Sequence, residues 1–220
     1  MLQIDDATVE IVIVNYRTPD LVISLYNSIR RFIYEDVHIR IIDNGTIEAE
    51  FDQLYKLEAG DINKVTIESF NKNLGHGPSM DYAIKTSRFA YQLILDSDTA
   101  IIKEGLLEYF DSQPINSIKD FYGMGLVVQV NKTGNNVSHN EISYLHPHCM
   151  LINKIEYLKY QPFISHGAPC IKTMTELHTK NVANKLISIP QSIMSSYVKH
   201  LARGTRNTLK GLKLRTDYGE

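Results

Sequence analysis

At 220 residues the chain has room for one α/β domain with a continuous core, and nothing in its length requires two. Its residues are 43% hydrophobic and 22% charged, which excludes a disordered or largely membrane-embedded chain. The formal net charge of −2 gives no overall pull toward nucleic acid, so no nucleic-acid partner is expected.

Cys149 and Cys170 are not a CxxC pair, so neither a disulfide framework nor a structural zinc site is expected. The N-terminus lacks a basic segment followed by an apolar run, and no apolar run approaches the roughly 20 residues that span a bilayer. The expected localisation is cytoplasmic.

Val9 to Val14 is β-branched and apolar on both faces, as a central strand of a covered parallel sheet would be. Thr18-Pro19-Asp20 supplies an N-cap, a first-turn proline and a first-turn acid for a helix reaching about Phe32. A second strand, Val37 to Asp43, ends in Asp43-Asn44-Gly45, giving a βαβ unit. Strand Val65 to Phe70, helix Pro78 to Arg88 and strand Ala90 to Leu95 repeat the pattern. A helix is predicted over Lys103 to Phe110, then strands over Gly123 to Val130 and Cys149 to Ile152. The fold class is therefore α/β: a mostly parallel central sheet flanked by helices, with a smaller mixed C-terminal region. One domain, 1–220, is expected, divided into a ligand-binding half at about 7–115, a second half at about 120–200, and a basic tail at 201–220.

In open α/β sheets, ligands bind beyond the carboxyl ends of the strands. The predicted strands end in Asn15-Tyr16-Arg17, Asp43-Asn44, Asn71 to Gly77 and Asp96-Ser97-Asp98, which would converge on one crevice. Two carboxylates spaced i, i+2 past a strand end suit one hard cation, Mn²⁺ or Mg²⁺, which bridges carboxylates to phosphates. On the tripeptide alone a solvated turn is the better reading of Asp96-Ser97-Asp98, and the apolar run YQLIL before it, which reads as a central buried strand, turns the balance toward a site. Asp43 can accept from a base N–H or serve as ordinary turn chemistry. Tyr16 offers an aromatic face or simply packs. The glycines of Asn73-Leu74-Gly75-His76-Gly77 let backbone approach a ligand. No Walker loop and no GxGxxG is present, which argues against ATP and NAD.

In order and spacing, VEIVIVNYRTPDLVISLYNSIRR, IRIIDNGT, NKNLGHGPSMDYAIK and YQLILDSDTAII resemble the N-terminal half of family 2 glycosyltransferases, over about residues 9 to 102. The resemblance implies a GT-A fold and a nucleoside diphosphate sugar donor, UDP- or dTDP-linked. It implies base contact by Asp43 and a pocket lined by Asn15, Tyr16, Arg17 and Asn44. Asn73, Gly75 and His76 would lie near the donor. Asp96, Ser97 and Asp98 would hold metal and diphosphate. YVKHLARGT resembles the family's His-x-x-Gly-Ser/Thr-like ending, which makes His200 a metal ligand and brings Arg203 to the diphosphate. The alternative for this segment is a solvated basic tail with weak membrane-surface contact.

Many inverting members carry a Glu-Asp pair that supplies the base for the acceptor hydroxyl. Here Phe163 to Cys170 stands in that place, so His166 or Glu176 is the candidate base. Acceptor contacts are expected from Asn131 to His148, with Tyr144, His146 and His148 named, and from the bend before Cys170. The predicted function is metal-dependent sugar transfer to a glycan or other hydroxyl acceptor, with inversion. The competing readings are a nucleotide-sugar or glycan-binding relative without catalysis, and a sugar nucleotidyltransferase. The latter is disfavoured by Asn15-Tyr16-Arg17-Thr18-Pro19 where a glycine-rich loop belongs.

Overall fold

The computed structural model describes residues 5, 7–33, 36–45, 48–61, 64–115, 121–137, 141–165 and 167–201, apart from the side chains of 48–50. The chain alternates strand and helix through its first half. β1 (Val9–Asn15), α1 (Pro19–Phe32), β2 (His38–Asp43), α2 (Glu48–Gly60), β3 (Val65–Ser69), α3 (His76–Thr86) and β4 (Tyr91–Asp96) follow one another. A short strand β5 (Thr99–Ile101) and helix α4 (Leu106–Asp111) lead to β6 (Gly123–Val130) and the long β7 (Ile142–Asn153). Helices α5 (Lys154–Tyr157) and α6 (Ile171–Thr179), strand β8 (Leu186–Ser188), helix α7 (Gln191–Tyr197) and strand β9 (Val198–His200) complete it.

The main sheet has seven strands in the order β3-β2-β1-β4-β7-β6-β8. Its first four strands are mutually parallel, β7 runs antiparallel to both neighbours, and β8 lies parallel to β6. This is the mostly parallel, helix-flanked sheet that the sequence predicts. Strand alternation divides the core. Ile11, Ile13, Ile39, Ile41, Leu93 and Leu95 join Leu25 and Ile29 of α1 on one face. Val12, Val14, Ile42 and Ile94 join Met80 and Ile84 of α3 on the other. Apolar residues on both strand faces are what a doubly covered sheet requires.

Boundaries differ from the sequence reading where polar chemistry intervenes. Thr18 starts α1 without capping it: its hydroxyl donates to Asn15 Oδ1 at 2.9 Å, so the side chain is spent on the strand end. β7 begins at Ile142, well before Cys149, because its first half pairs with β6 as a hairpin. Helices α2 and α7 were not anticipated. Among the described residues, no helix is long and apolar enough to cross a membrane.

Candidate functional site

Strand β4 ends at Asp96, and Thr99 Oγ1 donates to the Asp96 carbonyl at 2.7 Å, closing a turn. β5 then pairs antiparallel with β9, setting Thr99 opposite His200, and Leu201 N–H donates to the Asp98 carbonyl at 2.9 Å. This small ladder returns the distant His200 to the turn. Ligand atoms of Asp96, Asp98 and His200 lie within 4.8 Å of one another, and His200 Nε2 is 3.3 Å from Asp98 Oδ1. Asp96 Oδ1 is buried and receives no well-aligned hydrogen bond, although His76 Nε2 stands 3.2 Å away. A buried carboxylate oxygen without a donor is costly unless a cation takes it. The oxygen and imidazole donors fit Mn²⁺ or Mg²⁺, with the imidazole favouring Mn²⁺.

Histidines surround these carboxylates. His146 and His148 project from β7 beyond the last β4–β7 pair, Leu95 with Cys149, and their Nδ1 atoms are 2.8 Å apart. The His148 ring stacks on His200, with centroids 5.2 Å apart and planes at 21°. Electrostatics divides the group. At His76, burial disfavours the charged ring, yet Asp96 and Asp98 outweigh it and raise the pKa. His200 is likewise raised by Asp98 and Asp96 against its burial. Burial, then His146 and His200, push His148 down to about 4, and burial lowers His146 as well. Asp96 is driven up by burial but ends below its ordinary value because His76, His200 and His146 favour its charge. The carboxylates thus favour the charged form of His76 and His200, and burial favours the neutral form of His146 and His148.

The ends of β1, β2 and β3 form the adjoining wall. Asn15 Nδ2 donates to Asp43 Oδ1 at 2.9 Å, and Ser69 Oγ donates to Asp43 Oδ2 at 2.8 Å. Asp43 is fully buried, so these bonds fix it within the strand ends. Asn44 Nδ2 donates to Asn73 Oδ1 at 2.7 Å, and Leu74 N–H donates back to Asn44 Oδ1 at 2.6 Å, tying the loop before α3 to β2. Gly75 starts α3 at φ +95°, a conformation that disfavours other residues, and delivers His76 to Asp96. Arg17, at φ +56°, turns the chain away from β1 beside the half-buried Tyr16. Ser97 is buried within the Asp96 turn.

Two cavities meet at His146. One of about 210 Å³ is lined by His76, Asp96, Asn136, Tyr144, His146 and the segment Gly167-Ala168-Pro169. The other, about 630 Å³, is lined by Asn136, His146, His148, Gln191, Lys199 and His200. The named residues Tyr144, His146 and His148 therefore do line cavities, but the two histidines stand against the carboxylates as well. An i, i+2 histidine pair on a strand was the signal for this, and it was missed because the strand was predicted to start at Cys149. The structure does not bring Glu176 to either cavity. Its Oε2 accepts from Gln161 N–H at 2.6 Å and its Oε1 pairs with Lys180 at 2.7 Å. His166 and Arg203 lie outside the described residues, as does the basic tail from 202 onward.

This chain resembles solved structures in fold. The mannosyltransferase PcManGT from Pyrobaculum calidifontis, solved with GDP-Man and Mn²⁺, superposes with a TM-score of 0.63 at 11% identity, over 83% of this chain and 55% of that one. S. aureus TarS residues 1–349, solved with UDP-GlcNAc, gives a TM-score of 0.59 at 15% identity, over 87% of this chain and 57% of that one. GalNAc-T7, solved with UDP, GalNAc and Mn²⁺, gives 0.57 at 11% identity, over 74% of this chain and 39% of that one. The chain thus spans little more than half the length of the first two. No curated protein is similar enough in sequence to count as a relative. Residues 10–156 match the family profile of glycosyl transferase family 2, and the chain belongs to that family.

Proposed function

We propose that this chain transfers a sugar from a nucleoside diphosphate sugar to a hydroxyl acceptor, in a metal-dependent reaction with inversion at the anomeric carbon. The observation that carries this reading is the convergence of Asp96, Asp98 and His200 at the carboxyl end of the parallel sheet, with Asp96 Oδ1 buried and without a well-aligned hydrogen bond. Asp96, Asp98 and His200 would hold Mn²⁺ or Mg²⁺. When bound, the ion supplies Lewis-acid neutralisation of the diphosphate as it leaves.

The chain's own groups do the rest. Asp43, fixed by Asn15 and Ser69, and Tyr16 and Arg17 beyond β1 receive the nucleoside, with Asn44 holding the wall. The loop of Asn73 and Gly75 sets His76 against Asp96, on the phosphate side, where Asp96 and Asp98 raise its pKa against the effect of burial. Ser97 and Arg203 complete the diphosphate contacts. The smaller cavity receives the sugar, walled by Ala168 and Pro169. His166, which follows Ser165 and precedes the cavity residue Gly167, takes the acceptor proton. Glu176 is the lesser choice, because both its oxygens are already engaged. Residues 7–115 would form the donor half and 120–200 the acceptor half.

The lack of an acid in Gly167-Ala168-Pro169 favours one second reading: a nucleotide-sugar-binding relative without turnover. One screen separates the two. UDP-, dTDP- and GDP-sugars are tested with Mn²⁺ and Mg²⁺ for binding and slow hydrolysis, on wild type, Asp98→Ala and His166→Ala. Metal-dependent hydrolysis lost in Asp98→Ala supports the enzyme, and tight binding without turnover supports the second reading. No binding of any nucleotide sugar overturns both.

A further inference from the structure

We propose that Gly134, in the turn between β6 and β7, is a positioning residue for sugar transfer: its bare backbone seats Ala168 and so fixes one wall of the smaller cavity. The inference rests on the transferase reading, which places the transferred sugar in that cavity. Gly134 and Ala168 both line it, together with Asp96 and His76.

A side chain at Gly134 has no room. A Cβ there would lie 2.3 Å from the Ala168 methyl, whereas the next atom, Ala168 Cα, would be 3.8 Å away in ordinary contact. The turn therefore packs on this one methyl group, and packing so close passes a displacement on instead of absorbing it. Gly134 also has φ +84°, which glycine adopts without strain.

Both sides of the contact are held. In the turn, Asn131 Oδ1 accepts from Thr133 N–H at 3.0 Å, from the Thr133 hydroxyl at 2.7 Å and from Asn135 N–H at 3.0 Å. Gly134 N–H donates to the Asn131 carbonyl, and Asn131 N–H to the Asn135 carbonyl, each at 2.9 Å. On the other side, Ala168 leads into α6: its carbonyl accepts from Ile171 N–H at 3.1 Å, and Cys170 is fully buried. Upstream, Gly77 N–H donates to the Ser165 carbonyl at 3.2 Å, and a Cβ on Gly77 would lie 2.6 Å from that oxygen. Two glycines thus grip this wall, one on α3 next to His76 and one on the hairpin turn. The proposed nucleoside wall lies elsewhere, around Asp43 at the ends of β1, β2 and β3. Pushing on Ala168 should therefore misplace the sugar and leave the nucleoside seated, which lowers kcat and spares the donor KM.

The test is a double-mutant cycle on the full chain, reading kcat and donor KM for slow hydrolysis of UDP-, dTDP- and GDP-sugars with Mn²⁺. Gly134→Ala is expected to lower kcat by at least about tenfold and to change the donor KM by less than about twofold. In the Ala168→Gly background, where the opposing methyl is gone, the same substitution is expected to lower kcat by less than about threefold. Urea midpoints should fall in both backgrounds, because the strain of a side chain at positive φ remains, and this separates stability from positioning. Asn131→Ala loosens the turn without filling the contact; it should lower kcat with the donor KM held, and it decides the matter if Gly134→Ala does not fold. An active wild type with an equal kcat loss in the two backgrounds, or with kcat unchanged in the folded variant, overturns this inference alone. A wild type inert toward every donor overturns it together with the transferase reading.

Discussion

Two groups of acids sit on this sheet and are neutralised in opposite ways. Between the sheet and α3, Arg40 pairs with Glu10 and Glu68, and its guanidinium also donates to the Ala83 carbonyl and to Thr86 Oγ1. At the carboxyl end of β4, the groups that favour the charge of Asp96 among the described residues are imidazoles, and its buried Oδ1 has no well-aligned hydrogen bond. Arginine is always charged, so the first group keeps its neutralising charge at every pH, even though Glu10 Oε2, 3.8 Å from Arg40, accepts no hydrogen bond. Imidazoles give up charge near neutrality and yield to metal, so the second group is open to a ligand.

The largest effect should come from breaking the arginine-held group. Arg40→Met leaves Glu10 buried without its arginine, with the His38 ring 3.4 Å away, and should cost about 3–5 kcal/mol in urea denaturation. A loss below about 1 kcal/mol would mean that the network is not what holds α3 to the sheet.

The next effect concerns the wall facing the open group. A Cβ on Gly77 would lie 2.6 Å from the Ser165 carbonyl oxygen and 2.9 Å from the Ile164 and Ser165 nitrogens. Gly77→Ala should therefore destabilise by about 1–3 kcal/mol and displace the segment leading to Ala168. Unchanged stability and unchanged donor binding would show that the contact is slack.

A third effect sharpens the electrostatic contrast in chelator-treated protein. His148 is held at about 4 when folded, against 6.5 ordinarily, so the unfolded chain binds more protons in between. Its contribution to stability is thus lost as pH falls from about 6.5 to about 4. His76 and His200 act oppositely: their raised values give stability that is present below 6.5 and lost as pH rises through the folded values. His148→Asn should flatten the acid side of the stability profile relative to wild type. An unaltered acid limb would show that His148 is protonated in the folded protein.

The smallest effect is at the surface. Glu176 pairs with a largely exposed Lys180, so Glu176→Gln should change stability by only about 0–1 kcal/mol and leave transfer intact, whereas His166→Ala should abolish transfer. Loss of transfer in Glu176→Gln would reverse that assignment of the base.

The sheet was legible in the sequence because Val9 to Val14 and Tyr91 to Leu95 are apolar on both faces, which only a doubly covered strand tolerates. Asp96 and Asp98 were legible because a polar pair ends such a strand. β5 and β9 were not, since each is three residues long and forms only by long-range pairing, too short for any periodicity. His200 was found through the family's ending, and the ladder that positions it came only from the structure. Helix α2 was missed because its apolar pattern is weak, with Leu54 as its one fully buried hydrophobic among described side chains. His146 and His148 were visible as polar residues near a strand, but their convergence with His200 depends on how far β7 overshoots β4.

The most direct test of the central claim is a titration of free Mn²⁺, followed by electron paramagnetic resonance, against wild type and Asp98→Ala with and without UDP. The account predicts that wild type with UDP removes the free Mn²⁺ signal and that Asp98→Ala leaves it. Equal depletion by both proteins, or none by either, would contradict a metal-dependent donor site at Asp96, Asp98 and His200.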